Sequence, residues 1–287
     1  MKKHLSLILI VLTGIFSRSC QLINPPEDIP AYLHIDSFSL HGNYDSFGSL
    51  SHKITDAWVI VNDKLIGVFE LPATFPVLAN DIQKLIIMPG IKENGISNTR
   101  LPYPFYTYYI DNHLFKPSTT DTIQPNIWYA GNKFLLAFNE DFEGGNVIFD
   151  PSNLNNALVY RTNSNSEKFE GDYSLKVVLP TKNDIFEIEG EDLYDIPRNK
   201  SAFIEINFKT DEVLTIGYYS ISLTNSVKRN LINLNPTKTW KKVYANLGTE
   251  LLYEPQGNVF RFFLGAVNTA SDTSYIFIDN IKLLVYK

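Results

Sequence analysis

No stretch of this chain sustains a 3.6-residue apolar period, while several short stretches alternate with period two. Residues 201–209 (SAFIEINFK) put Ile204, Ile206 and Phe208 on one face and Glu205, Asn207 and Lys209 on the other. Such alternation marks a half-buried β-strand, because successive side chains leave opposite faces of a pleated backbone. Residues 174–179 (SLKVVL) repeat it with Leu175, Val177 and Leu179. Residues 56–61 (DAWVIV) and 65–71 (LIGVFEL) flank Asn62-Asp63-Lys64, which predicts a hairpin. Further strand-like runs lie at 31–40, 84–88, 105–110, 213–223, 240–247, 258–267 and 275–286. Gly, Pro, Asn and Asp punctuate the intervals. The Asn/Ser-rich residues 152–168 read as a surface loop. Short strands at this spacing predict an all-β fold built of sandwiches.

The chain has 287 residues, enough for two domains. Apolar residues make up 44% and charged residues only 20%, so a packed core is feasible and a disordered polyelectrolyte is not. The phrase FNEDFEGG, residues 138–145, ends one run of strands and opens another. We therefore divide the chain into a leader at 1–19, a tether at 20–30, a small sandwich at 31–137 and a larger one at 138–287.

Lys2, Lys3 and His4 precede a 12-residue apolar run at 5–16. That is shorter than the roughly 20 residues a spanning helix needs, and it suits a signal-peptide core. The following Ser17-Arg18-Ser19-Cys20 resembles a bacterial lipobox. That resemblance implies a diacylglycerol on the Cys20 thiol, with further acylation such as palmitate. It also implies a lipid-anchored protein of the outer membrane, facing the periplasm or the cell surface. Cys20 is the only cysteine, which excludes an intramolecular disulfide and a thiolate metal cluster. Residues 21–30 (QLINPPEDIP) carry three prolines and read as an extended tether. The whole chain has net charge −6; without Lys2, Lys3 and Arg18, 22 basic residues face 31 acidic ones, or −9. An acidic chain with no basic run argues against a nucleic-acid partner.

In the first half, AWVIVNDKLIGVFELP, IIMPGIKENGI and YPFY resemble the transthyretin-like or PEGA-like modules of exported Bacteroidota-like proteins. The aromatic-rich residues 101–109 are either a buried strand or an edge that stacks on a ligand or partner.

In the second half, FNEDFEG, GDYSLKV, WKKV and YIFIDNIKL resemble the galactose-binding-like jelly rolls of many carbohydrate-binding modules. The resemblance implies that the first and last strands pair. It implies a structural calcium between the opening acid and the closing Asp, which here are Glu143 and Asp279, with Asp141 and Asp172 as helpers. The alternative is that Asp279 caps a strand and Glu143 is solvated. It further implies a ligand surface of aromatic and polar side chains. Tyr218, Trp240, Tyr244 and Arg261 are of the right types, with Tyr219 and Tyr253 beside them. The same side chains could instead pack a sheet.

No nucleophile elbow, phosphate loop, zinc-protease helix or dinucleotide glycine pattern occurs. The expectation is a non-catalytic outer-membrane lipoprotein that binds a carbohydrate or other polymer. The rival is an accessory subunit that docks onto an outer-membrane protein complex and binds no glycan.

Overall fold

The computed structural model describes residues 27–287, so Cys20 and the apolar run before it lie outside the described residues. The fold is all-β. Its helical segments among the described residues are two single turns, Tyr44–Phe47 and Gly248–Leu251. No helix among the described residues is long and apolar enough to cross a membrane.

The second half is a sandwich of two antiparallel sheets. One runs Leu158–Thr162, Ser174–Leu179, Ser274–Tyr286, Ala202–Thr210, Thr237–Asn246. The other runs Phe149–Pro151, Ile185–Gly190, Val259–Val267, Leu214–Ile221, Ser226–Leu234. The closing strand Ser274–Tyr286 serves three neighbours. Its first part pairs with Ser174–Leu179 and its last part with Phe134–Glu140, while Ala202–Thr210 follows its other edge. Ile276, Ile278, Ile281, Leu283 and Val285 all face the core. The inward parity changes between Ile278 and Ile281. Asn280, at φ 52, absorbs the change, since Asn tolerates the left-handed region better than branched residues do.

Two expectations change here. Residues 152–168 are not one loop, because Leu158–Thr162 forms a strand against Ser174–Leu179. The polar flanks masked this five-residue run. The expected boundary between 137 and 138 falls inside Phe134–Glu140, and both ends of that strand pair with the closing strand. The second body therefore begins at Phe134.

In the first half, Asp56–Val61 and Lys64–Glu70 form the expected hairpin, and Asp81–Lys92 joins them. Arg100–Pro102 and Tyr109–Phe115 both add to Asp81–Lys92. Ala31–Ile35 lies in a separate sheet, antiparallel to Ala73–Val77 and parallel to Thr120–Thr122. Leu33, Ile35, Phe75 and Val77 share one core with Val59, Leu85 and Ile87.

That core continues across the boundary. Phe203, Tyr244 and Leu284 of the second half belong to it. The first half thus covers part of the outer face of the sheet that holds the closing strand. Tyr103, Phe105 and Tyr106 are buried there, so these rings of the aromatic-rich segment are core, while Tyr108 is 43% exposed. Between the halves lie three buried charges, Glu205, Lys242 and Lys282. Lys242 Nζ is 2.8 Å from Glu205 Oε2, and the hydroxyls of Tyr103 and Tyr129 donate to Glu205 at 2.8 and 3.0 Å. Burial alone would raise the Glu205 pKa; the Lys242 and Lys282 ammoniums outweigh it and hold the carboxyl below its usual range. Lys282 donates to the Ser49 carbonyl, and its pKa is pushed down to about 7, mainly by burial.

Candidate functional site

With one sheet partly covered, the sandwich presents the outer face of the other. The registers set its side chains in rows. Thr215 lies between Gly265 and Asn233, Gly217 between Phe263 and Asn230, and Tyr219 between Arg261 and Lys228. Glu187 and Glu189 extend the first two rows, opposite Gly265 and Phe263. Alternation puts all of these on one face.

The floor is low because two of its positions lack side chains. A Cβ at Gly217 would overlap the Phe263 ring and the Arg229 carbonyl. Phe263 therefore lies flat across Gly217 and is only 2% exposed. A trough of about 380 Å³ opens here, lined by Phe263, Thr215, Asn230, Asn233, Glu187 and Lys228 among others. A second hollow of about 300 Å³ lies along Asp150, Ser152, Glu189, Glu191 and Arg261.

A polar ridge separates the two. Lys228 pairs with Glu187 and sits 4.3 Å from the centre of the Phe263 ring. Burial opposes the Lys228 charge, but Glu187 outweighs it and raises the pKa. The Tyr219 hydroxyl is 3.2 Å from Glu189 Oε1 and 3.4 Å from Glu187 Oε1. The Ser152 hydroxyl donates to Glu187 at 3.0 Å, and Arg261 lies 3.8 Å from Glu189. Each cation on the ridge faces one carboxylate, so the ridge is charge-balanced. The Arg261 Nε is buried with no hydrogen-bond partner.

The four ligand residues expected from sequence fall in different places. Arg261 lines the second hollow. Tyr218 points inward, is 2% exposed, and donates to Glu254 at 3.1 Å. Tyr244 is 1% exposed between the two halves, where its hydroxyl accepts from the Lys53 amide at 2.9 Å. Burial removes both from any ligand surface. Trp240 lies on the outer face of the other sheet, against Phe169. Of the two beside them, Tyr219 belongs to the ridge and Tyr253 projects from a loop, 83% exposed. Sequence reasoning missed Phe263, Lys228, Asn230 and Asn233. The shared parity of Arg261, Phe263 and Gly265 was a signal for the first. The other three sit on Ser226–Leu234, a strand whose polar composition hides it.

The acids expected at a calcium site meet one turn but not one point. Glu143 Oε1 accepts the amides of Asp172 and Tyr173 at 2.9 and 3.0 Å. Asp279 accepts the Ser174 hydroxyl at 2.6 Å and the Asn280 amide at 2.8 Å. Asp141 accepts the Tyr44 hydroxyl at 3.0 Å and the Glu143 amide at 3.1 Å, and Asp172 is exposed. Among the described residues no three His, Cys, Asp or Glu side chains come together to hold a metal. The turn at Gly171–Ser174 is held by protein donors. Burial pushes the Asp279 pKa up to about 7.

No protein-family model and no curated protein matches the chain. Among solved structures it is similar to the CBM22-1 xylan-binding domain from Paenibacillus barcinonensis, at 15% identity and TM-score 0.41, over 54% of this chain and 97% of that one. It is also similar to a family 11 carbohydrate-binding module from Clostridium thermocellum in complex with a mixed-linked tetrasaccharide, at 16% identity and TM-score 0.36, over 53% and 94%. A third likeness, to a structure from a study of carbohydrate-binding modules of the β-sandwich superfamily, is 13% identical at TM-score 0.40 over 90% and 99%.

Proposed function

We propose that this protein is a non-catalytic glycan-binding module that takes a neutral saccharide chain across the open sheet. The observation that carries this reading is the trough over Phe263. The Phe263 ring lies buried beneath it beside two glycines, so contact falls to its walls, which offer the Asn230 and Asn233 amides and the Thr215 hydroxyl. Asn and Thr side chains can each donate and accept, which suits a polyol. The Lys228–Glu187 pair leaves the trough no unpaired charge to select an ion. Glu187 and Glu189 are committed to Lys228, Tyr219, Ser152 and Arg261, so the reading includes no acid–base step. Affinity electrophoresis against xylan, mixed-linked β-glucan and galactan tests it, run beside affinity capture from membranes. At least one neutral polymer should retard the chain. Asn230→Ala and Arg261→Ala should each weaken binding about tenfold, roughly 1.4 kcal/mol, without lowering the melting temperature. Silence on every polymer with a stoichiometric protein partner recovered would overturn the reading.

The second outcome has its own support. The outer face of the first-half sheet carries Leu65, Ile60, Ile86 and Ile110 in one row and Val68, Trp58 and Met88 in the next. A contiguous apolar stripe of this kind suits a protein partner.

We further propose that a lipid on Cys20 holds the module at the outer membrane. The lone cysteine at the end of an apolar leader supports this. A Cys20→Ala chain should leave the membrane fraction and lose acyl label. Retention in that fraction would sink the anchor.

A further inference from the structure

The sheet that holds the closing strand has an open area beyond the part the first half covers. One row of side chains crosses five strands there. Tyr160 is in register with Lys176, Lys176 with Phe277, and Phe277 with Lys209. Trp240 completes the row on the edge strand, its ring 5.7 Å from Lys209 Nζ. Rings thus stand on alternate strands with lysines between them. Lys176 Nζ is 5.9 Å from the Tyr160 ring and 5.8 Å from Phe277, and Lys209 Nζ is 4.3 Å from Phe277. Tyr275 stacks beside Phe277, with centroids 6.4 Å apart and planes 15° apart. Tyr160 in the row and Tyr275 beside it are 47% and 38% exposed, while Phe277 is 8% exposed beneath the two lysines, so Tyr275 presents the ring of the middle strand.

We propose that this row is a second glycan-binding surface, for an extended polysaccharide that carries carboxylates. Adjacent strands lie about 4.8 Å apart, so the rings repeat at about 9.6 Å, close to the length of two pyranose units in an extended chain. Every second sugar can then rest its C–H face on a ring, as apolar faces do on aromatic side chains. The lysines fall between the rings, where the carboxylates of a polyuronate would reach them in charge-assisted hydrogen bonds. Glu167 answers Lys176 at 2.5 Å, and Asp211 answers the neighbouring Lys238 at 2.9 Å. Lys209 donates to the Ser166 carbonyl at 3.1 Å and, among the described residues, forms no ion pair. The row therefore has a surplus cation on a chain of net charge −6. The trough on the other sheet is charge-balanced, so the two faces suit different polymers, and this surface stands whether or not the trough binds.

Polymannuronate and β-1,4-mannan of matched length separate the terms, because they share a backbone linkage and differ in the carboxylate. With the full chain at low salt, polymannuronate should bind and mannan should bind at least about tenfold more weakly. Trp240→Ala, Tyr160→Ala and Lys209→Gln should each weaken polymannuronate binding by about tenfold. Raising NaCl to about 0.5 M should weaken it in the parent chain and much less in Lys209→Gln. Tyr160 is exposed on an edge strand, so its variant should keep the parent melting temperature even where Trp240→Ala does not. Arg261→Ala on the opposite sheet should leave binding unchanged. Absence of polymannuronate binding, equal binding of mannan, or binding indifferent to Tyr160→Ala and Trp240→Ala would overturn the proposal. Loss with Arg261→Ala alone would assign the ligand to the trough and overturn it equally.

Discussion

Lys282 shows how a residue's strand can be legible in the sequence while its surroundings are not. Sequence places it near the end of a closing strand, on the face opposite Ile281 and Leu283. A lysine there reads as solvated. It is instead fully buried with Glu205 and Lys242, because a second body packs on that face. Two cations share one carboxylate, and burial pushes Lys282 down to about 7, against 10.5 for the free side chain. Between those values the unfolded chain holds the proton and the folded chain does not, so this group adds stability as pH rises. Asp279 acts in the opposite sense. Its folded pKa of about 7 lies above the usual 3.8, so its contribution falls as pH rises through that interval. Together they predict a shallow minimum in melting temperature near neutrality. Lys282→Met should abolish the rise between about pH 7 and 9.5 while leaving the acid limb, as a buffer series of thermal melts would show. A Lys282→Met profile that still climbed would place the alkaline limb elsewhere.

At the scale of elements, alternation was the most legible signal. Ala202–Thr210 places Ile204, Ile206 and Phe208 in the core as the pattern required. Its other face, Glu205 and Asn207, is buried too, and nothing in the strand says so. Binary pattern reports one buried face and is silent on what later packs against the polar one. Polar edge strands were the opposite failure: Ser226–Leu234 and Leu158–Thr162 lack a clean apolar face because an edge is half solvated. The candidate site suffered most, since all three of its rows depend on Ser226–Leu234. Tyr218 and Tyr244 were picked for chemistry alone; strand parity turns Tyr218 inward, and Tyr244 stands on the outer face that the first half covers. The closing strand joins three neighbours, so damage to it should spread further than damage to an edge. Ile278→Ala should cost about 3 kcal/mol, and Val159→Ala on the edge strand under about 1 kcal/mol. Urea titrations give both, and equal costs would contradict the central role of that strand.

At the scale of the whole molecule, two sandwiches were foreseen, but their union was not. Phe203, Tyr244 and Leu284 belong to the first-half core, and the Tyr103 and Tyr129 hydroxyls satisfy Glu205 across the boundary. Residues 134–287 alone would expose those apolar side chains and leave Glu205 and Lys282 with fewer partners. That fragment should melt well below the full chain and aggregate at micromolar concentration. The full chain should unfold in one calorimetric transition, with tryptophan fluorescence and circular dichroism coincident. Two resolved transitions would show the halves to be independent bodies. Binding measurements on either face accordingly call for the intact chain.

The strand Ala31–Ile35 is clamped on both edges, with five residues registered against Ala73–Val77 and three against Thr120–Thr122. A pull on the chain ahead of Ala31, directed along that strand, strains all of these pairings at once instead of peeling them singly. If the leash is drawn taut while a polymer is held on the far sandwich, the first joint in the line of tension is loaded in shear, the direction in which a β-ladder yields last.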